Sequence, residues 1–140
     1  MIAADKPLPL CDKQEERTST TVVNGKSYTI SCARGFRVTE HSYYRAAVDV
    51  LGYPIKPFRY ELDAELREDD LAHLGAYLTQ NFQPGETVEL WSIRVGDVTQ
   101  RRPTHYSGSL ADFDMETLAQ LLKPPVTGGA PGQGRLTVCI

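Results

Sequence analysis

The 140-residue sequence has little cysteine and no long apolar run. Its three cysteines, Cys11, Cys32 and Cys139, are an odd number and form no Cys-x-x-Cys pair, which argues against a disulfide framework and against a zinc site. No stretch approaches the roughly 18 consecutive apolar residues of a membrane-spanning helix, and Asp5 and Lys6 interrupt the segment where a signal peptide needs an apolar core. We therefore expect a reduced, cytoplasmic protein with no membrane partner.

Positive charge is also scarce. The chain has 15 Lys and Arg against 18 Asp and Glu, a net charge of −3. General affinity for a phosphate backbone needs clustered Lys and Arg, so direct nucleic-acid binding is not expected from the total charge. The hydrophobic share of 41% is that of an ordinary folded domain. We expect no cofactor, and the sequence leaves the oligomeric state open.

The N-terminal residues carry no periodic pattern. Pro7 and Pro9 stand among mixed charges, and this predicts an irregular leader over residues 1–15. Residues 16–140 are predicted to form a single domain, because a chain of this length buries enough surface for one core.

A β-hairpin signal opens the predicted domain. Asn24-Gly25 lies between two runs rich in Thr, Val, Tyr and Ile, and a type I′ turn needs the positive φ that these two residues tolerate. Pairing Val23 with Lys26 places the apolar side chains on one face and mostly Ser and Thr on the other. That alternation predicts a half-buried antiparallel sheet.

The remaining elements follow from hydrophobic period, capping residues and turn residues. The first of them in chain order are a helix from Thr39 to about Leu51 with Gly52 as its C′ residue, a strand in FRYELDAEL and a helix from Glu68 to Phe82. They are followed by a strand in TVELWSIRV, a return strand through QRRPTHYSG and a helix from Met115 to about Lys123 that is capped by Asp114. The last are a flexible loop over 124–134 and a strand over 135–140. The order ββ-α-β-α-ββ-α-β predicts the α+β class, with a mostly antiparallel sheet of about five to six strands and three helices mainly on one face.

QRRPTHYSG concentrates reactive side chains and is therefore a candidate site. Strand alternation puts His105 and Ser107 on one face, with Asp112 nearby, but neighbours two apart on a strand do not point at each other and no G-x-S-x-G turn is present. No catalytic residue is assigned, and enzymatic activity is not expected. Asp69 and His73 have the spacing of two metal ligands on a helix without a third, so no metal site is predicted.

The same stretch supports an anion-binding alternative. Arg94, Arg101, Arg102 and His105 would form a positive patch beside a hairpin, and Tyr106 or Trp91 could stack on a base. Pro103 predicts an edge position for this strand, because proline cannot donate to a ladder. The alternative is thus a small enzyme or a nucleic-acid-binding or anion-binding module.

Negative charge is concentrated in one segment, which we call the acidic segment. Six carboxylates lie within ten residues: Glu61, Asp63, Glu65, Glu68, Asp69 and Asp70. They either form a solvated face with helix capping or present an electrostatic surface to a basic partner, with Tyr53 adding an aromatic contact. Small acidic domains of this general character include toxin-neutralising immunity proteins and phage anti-CRISPR inhibitors. The expected function is therefore a non-catalytic inhibitor of a basic, nucleic-acid-handling protein.

Overall fold

The computed structural model describes residues 1–40, 45–65, 67–93, 102–122 and 133–140. Its strands are β1 (Ile2–Ala4), β2 (Cys11–Asp12), β3 (Glu15–Val23), β4 (Lys26–Arg34), β5 (Arg37–Glu40), β6 (Phe58–Asp63), β7 (Thr87–Ser92), β8 (Thr104–Ser109) and β9 (Gly134–Cys139). Its helices are α1 (Arg45–Asp49), α2 (Glu68–Asn81) and α3 (Met115–Leu122), and a 3₁₀ turn covers Leu110–Asp112. Among these residues, no helix is long and apolar enough to cross a membrane.

The α+β prediction is confirmed. Seven strands form one sheet in the order β2-β5-β6-β1-β7-β9-β8, while β3 and β4 form a separate two-stranded sheet. The large sheet is antiparallel except for the parallel pair of β8 and β9. It has one or two strands more than the sequence predicts.

Strand alternation divides the large sheet into an apolar face and a polar face. Val88 and Leu90 of β7 lie opposite Val138 and Leu136 of β9, and all four are buried in the core. Leu74 and Leu78 of α2 and Leu118 and Leu121 of α3 belong to the same cluster. Burying these side chains contributes about 1.5–3 kcal/mol each, which makes the apolar face the main source of stability.

The structure corrects the interpretation of residues 1–15 as an irregular leader. Strand β1 lies in the middle of the large sheet, between β6 and β7, and Ile2, Ala3 and Ala4 are all buried. The Met1 amine donates to the Trp91 carbonyl at 2.8 Å, and burial lowers its pKa to about 6. A strand of three residues bounded by charge and proline has no periodic signal, so only its pairing with two distant strands reveals it.

Two of the three helices have the predicted bounds within two residues. Helix α2 starts at Glu68 as predicted, and Asp114 caps α3 by accepting from the Thr117 amide at 2.8 Å. Thr39 belongs to strand β5, so the prediction that it caps the first helix is wrong, and this helix ends at Asp49 rather than at about Leu51. Gly52 has the positive φ of 65° expected of a residue that ends a helix. Residues 41–44 and 124–132 lie outside the described residues, so the predicted start of this helix and most of the predicted loop are not described.

The prediction that TVELWSIRV and QRRPTHYSG pair with each other as a hairpin is wrong. Strand β8 is at the edge of the sheet, as Pro103 indicates, but its neighbour is β9, which lies between β8 and β7. The parallel register pairs His105 with Arg135 and Tyr106 with Leu136. The sequence shows no local signal for this arrangement, because it joins segments about 30 residues apart in a parallel sense.

The predicted hairpin of β3 and β4 is confirmed in register, since Val23 pairs with Lys26 and Asn24 and Gly25 have φ of 52° and 73°. Its predicted half-buried face is wrong. Val23, Tyr28 and Ile30 are all at least half exposed, and no strand in the described part of the chain pairs with either outer edge. We call this two-stranded element, Glu15–Arg34, the ribbon.

Candidate anion-binding pocket

The polar face of the large sheet carries the candidate site. Because side chains alternate along a strand, the residues between the core positions point to this face: Glu89 and Trp91 from β7 and Arg135 from β9. His105 of β8 pairs directly with Arg135 and lies on the same face. Helix α1 and the chain that follows it also lie on this side, where Asp49 forms an ion pair with Arg59 of β6.

A stacked aromatic pair forms part of the site. The rings of Tyr53 and Trp91 are nearly parallel, with 5.8 Å between centroids and 16° between planes. Gly52 directly precedes Tyr53, and its positive φ turns the chain after α1 so that Tyr53 lies towards the sheet. Trp91 is buried, whereas Tyr53 is half-buried.

A buried carboxylate fixes the groups beside the aromatic pair. Glu89 is only 3% exposed and accepts from three donors: Arg135 Nη2 at 2.6 Å, Trp91 Nε1 at 2.9 Å and the Lys56 amide at 3.3 Å. The Arg135 guanidinium also lies over the indole ring, 5.3 Å from its centroid. Arg135 and Trp91 are therefore held in one arrangement by both charge and packing.

These groups surround a cavity of about 470 Å³, which we call the aromatic-arginine pocket. Its lining residues are Leu51, Tyr53, Pro54, Trp91, Arg102, Pro103, His105 and Arg135. Arg102 and His105 are exposed and lie at the mouth, while buried Trp91 lies at the base. The volume is within the range of pockets that hold a small organic ligand.

The pocket unites part of the predicted anion patch. Arg102 and His105 both line it, whereas Arg94 and Arg101 lie outside the described residues. His105 Nε2 is 3.0 Å from Thr137 Oγ1, so its hydrogen-bond partner is a β9 hydroxyl and not Ser107. The sequence analysis missed Arg135 and the Tyr53–Trp91 stack. The sequence signal for Arg135 was Glu89, a carboxylate in the most apolar strand, because a buried charge needs a partner of opposite charge.

Two carboxylates of the acidic segment are paired with arginines. Asp63 accepts two hydrogen bonds from Arg37, at 3.0 and 2.7 Å, and Glu65 accepts from Arg34 at 3.2 Å. Asp70 is buried and accepts from the Glu65 amide at 2.6 Å, so it serves the fold rather than the surface. The two arginine partners come from the ribbon and from β5, and proximity in the sequence does not indicate either pairing.

The other members of the segment differ in their exposure. Glu61 is half-buried, and its Oε1 is buried without a hydrogen bond to any described group. Glu68 and Asp69 are exposed at the first turn of α2, where the helix dipole favours negative charge. Tyr53, expected to join this surface, is instead in the aromatic-arginine pocket. No group of three metal-ligating side chains occurs among the described residues.

Comparison of the chain with protein-family models, with curated proteins and with solved structures finds no match in any of the three. The function is therefore argued from the pocket and the exposed surfaces themselves.

Proposed function

We propose that this protein binds a ligand that combines an aromatic ring with a phosphate group, such as a nucleotide or the end of a nucleic-acid strand, in the aromatic-arginine pocket. The observation that carries the proposal is the meeting of a stacked aromatic pair with two arginines around one cavity of about 470 Å³. Each half of such a ligand has a matching group in the pocket.

The ring of the ligand is matched by Tyr53. Tyr53 lines the cavity and its ring is held against Trp91, so a ligand ring can pack against this aromatic pair without ordering a loose side chain. Stacking a base on an aromatic side chain contributes about 1–3 kcal/mol and tolerates any base. The pocket is thus expected to select for a planar ring rather than for one particular base.

The phosphate is matched by the basic side chains at the mouth. Glu89 offsets the charge of Arg135, so among the described lining residues Arg102 supplies the uncompensated positive charge. A guanidinium binds phosphate through paired N–H donors, and hydrogen bonds between charged groups are stronger than neutral ones. His105 lies beside Arg135 in the sheet and can contribute a further ring nitrogen.

Binding can be tested with the protein's own fluorescence, because Trp91 is its single tryptophan and lies in the pocket. Titration with a nucleoside 5′-monophosphate is expected to quench the emission, and the nucleoside without phosphate to bind at least tenfold more weakly. Arg102→Ala is expected to raise the Kd for the monophosphate about tenfold to a hundredfold, the equivalent of a lost charge-assisted hydrogen bond. Raising the salt concentration should weaken wild-type binding more than binding by the variant.

The matched control is Arg17→Ala, which removes another exposed arginine, from the ribbon. It should leave the Kd unchanged. Equal quenching by wild type and Arg102→Ala, or no quenching by monophosphate or by a 5′-phosphorylated oligonucleotide, would contradict the proposal. Release of phosphate or base during the titration would replace it by the enzyme alternative.

A second candidate function is the non-catalytic inhibitor of a basic, nucleic-acid-handling protein. One observation favours it: Glu68 and Asp69 remain exposed at the start of α2, whereas Asp63 and Glu65 are paired. Exposed charge of one sign accelerates association with an oppositely charged partner. Within the acidic segment, these two residues are the ones to test.

The double variant Glu68→Lys/Asp69→Lys is expected to abolish capture of a basic protein from a cell lysate by the immobilised protein, as read by mass spectrometry. The control is Asp112→Lys/Glu116→Lys, which makes the same change in net charge at two other exposed carboxylates. Loss of capture by both variants would show a general charge effect, and capture by neither wild type nor variants would overturn this second candidate.

A further inference from the structure

Strand β8 forms one edge of the large sheet. It is the last strand in the order of the sheet, and its parallel partner β9 lies on its inner side. Backbone N–H groups alternate in direction along a strand, and the Thr104 amide donates inwards to the Gln133 carbonyl at 2.8 Å. The backbone groups of His105 and Ser107 therefore point outwards, and no strand in the described part of the chain pairs with them.

This edge lacks the features that usually prevent an edge strand from pairing with another chain. Protected edges are commonly very short, or they carry charged residues or proline within the strand. Strand β8 has six residues, THYSGS, of which five are exposed and none is proline, lysine, arginine or an acidic residue. The opposite edge of the sheet, β2, has only two residues. The β8 edge is therefore able to accept a further strand.

A cavity beside this edge can hold a side chain of the added strand. It lies between β8 and α3, has a volume of about 290 Å³, and its apolar lining consists of Tyr106, Phe113, Leu136 and Val138; we call it the β8 groove. Gly108 of β8 pairs with Val138 and lies on the same face. A Cβ atom added at Gly108 would meet no other atom within 4 Å, so this glycine leaves room for an apolar side chain from outside.

The charge at one end of the β8 groove is negative. Asp112 lines the groove and is exposed, and Glu116 is exposed in the first turn of α3. None of the described lining residues of the groove is lysine or arginine. Side chains on one face of a strand are two positions apart, so an added strand with an apolar side chain over Gly108 directs a second side chain towards Asp112. A lysine or arginine at that second position has the complementary charge.

We propose that the β8 edge binds an extended segment of a partner protein as an eighth, antiparallel strand of the large sheet. An apolar side chain of the segment occupies the β8 groove, and a basic side chain two residues earlier lies at Asp112. Antiparallel pairing is favoured because it is slightly more stable per residue than parallel pairing. Backbone bonds to His105 and Ser107 supply affinity, and the groove and Asp112 supply specificity. The contact is small, so we expect a Kd in the micromolar range or above.

Titration of the isotope-labelled protein with the peptide acetyl-TKTLTVT-amide, followed by the amide NMR spectrum, tests the proposal. The leucine of the peptide is placed for the β8 groove and its lysine for Asp112. Addition of up to about 2 mM peptide is expected to shift the amide signals of β8 and to give a saturable Kd. Replacing the leucine by alanine should raise the Kd about tenfold, and replacing the lysine by glutamate about threefold to tenfold.

N-methylated peptides test whether the backbone of the segment pairs with β8. The third threonine of the peptide pairs with Ser107, so its N–H points at β8 and its N-methylation should abolish binding. N-methylation of the following valine is the matched control, because the N–H of that residue points away from β8. Equal Kd values for the two methylated peptides would show that no ladder forms.

Two substitutions in β8 test the same contact from the side of the protein. Gly108→Leu places a side chain in the β8 groove and should abolish peptide binding, whereas Gly75→Leu, at a glycine of α2 whose added Cβ also meets no atom within 4 Å, should not change it. Ser107→Pro removes an outward N–H without removing a bond to β9 and should abolish binding as well. Ser107→Ala keeps that N–H and should bind as wild type does. The melting temperature of each variant checks that the fold is retained.

Three results would overturn the proposal. The first is a wild-type spectrum in which the β8 signals do not shift at 2 mM peptide, and the second is equal binding of the two methylated peptides. The third is dimerisation of the wild type that Ser107→Pro abolishes, as read by sedimentation velocity, because the edge would then pair with a second copy of the chain. The edge and the aromatic-arginine pocket are separable, since Gly108→Leu should leave the quenching of Trp91 by a nucleotide unchanged.

Discussion

Arg135→Ala is expected to lower the free energy of unfolding by about 3–5 kcal/mol, because it leaves the Glu89 carboxylate buried without its cationic partner. Glu89 is almost completely buried, and Arg135 Nη2 is its closest donor at 2.6 Å. The variant also removes the cation that lies over Trp91. Urea unfolding followed by circular dichroism measures the loss without relying on the altered tryptophan.

Adding Glu89→Gln to Arg135→Ala should recover part of the loss, because an amide costs less to bury than an unpaired carboxylate. Arg17→Ala, at an exposed arginine, should change stability by less than about 0.5 kcal/mol. A loss below about 1 kcal/mol for Arg135→Ala would contradict the structural role given to the pair. Because Arg135→Ala is expected to destabilise the fold, Arg102 is the better position for testing ligand binding, since a change in affinity there is not confounded with unfolding.

Ile2→Asp is expected to abolish cooperative folding. Ile2 is fully buried and pairs with Tyr60 on one side and Leu90 on the other, so an aspartate there would place an unpaired carboxylate in the core. The combined loss of apolar burial and cost of a buried charge exceeds about 4 kcal/mol, a large part of the 5–15 kcal/mol that stabilises a typical domain. Thermal unfolding and the amide NMR spectrum measure the outcome.

Leu10→Asp is the matched control, because Leu10 belongs to the same N-terminal segment but is 57% exposed. It should fold and unfold like wild type. If Ile2→Asp also keeps the wild-type melting temperature, β1 does not hold the centre of the sheet.

Much of the secondary structure could be predicted from local pattern. The strand at Phe58–Asp63, the helices α2 and α3, the Asn24-Gly25 turn and the last strand all depend on period, caps or turn residues within about a dozen positions. The features that were missed depend on distant partners. Strand β1 is too short to have a period, and the parallel pair of β8 and β9 has no local signature.

The site was predictable only in part, for a related reason. Residue types suggested Arg102 and His105, and the structure places both at the pocket mouth. Arg135 and Tyr53 are 82 positions apart in the sequence and meet only because β9 lies beside β7 and the chain after α1 crosses the polar face. Sequence proximity also did not show that Asp63 and Glu65 of the acidic segment pair with Arg37 and Arg34, which lie about 30 residues earlier.

The position of β7 has a consequence for how the sheet forms. This strand lies between β1, which contains residues 2–4, and β9, which contains residues 134–139. Both neighbours of β7 are therefore distant in sequence, since the paired residues Ile2 and Leu90 are 88 positions apart and the paired residues Leu90 and Leu136 are 46 positions apart. Folds built from such distant pairings form slowly. We expect the large sheet to form late in folding, with the ribbon, whose two strands are adjacent in sequence, able to form long before it.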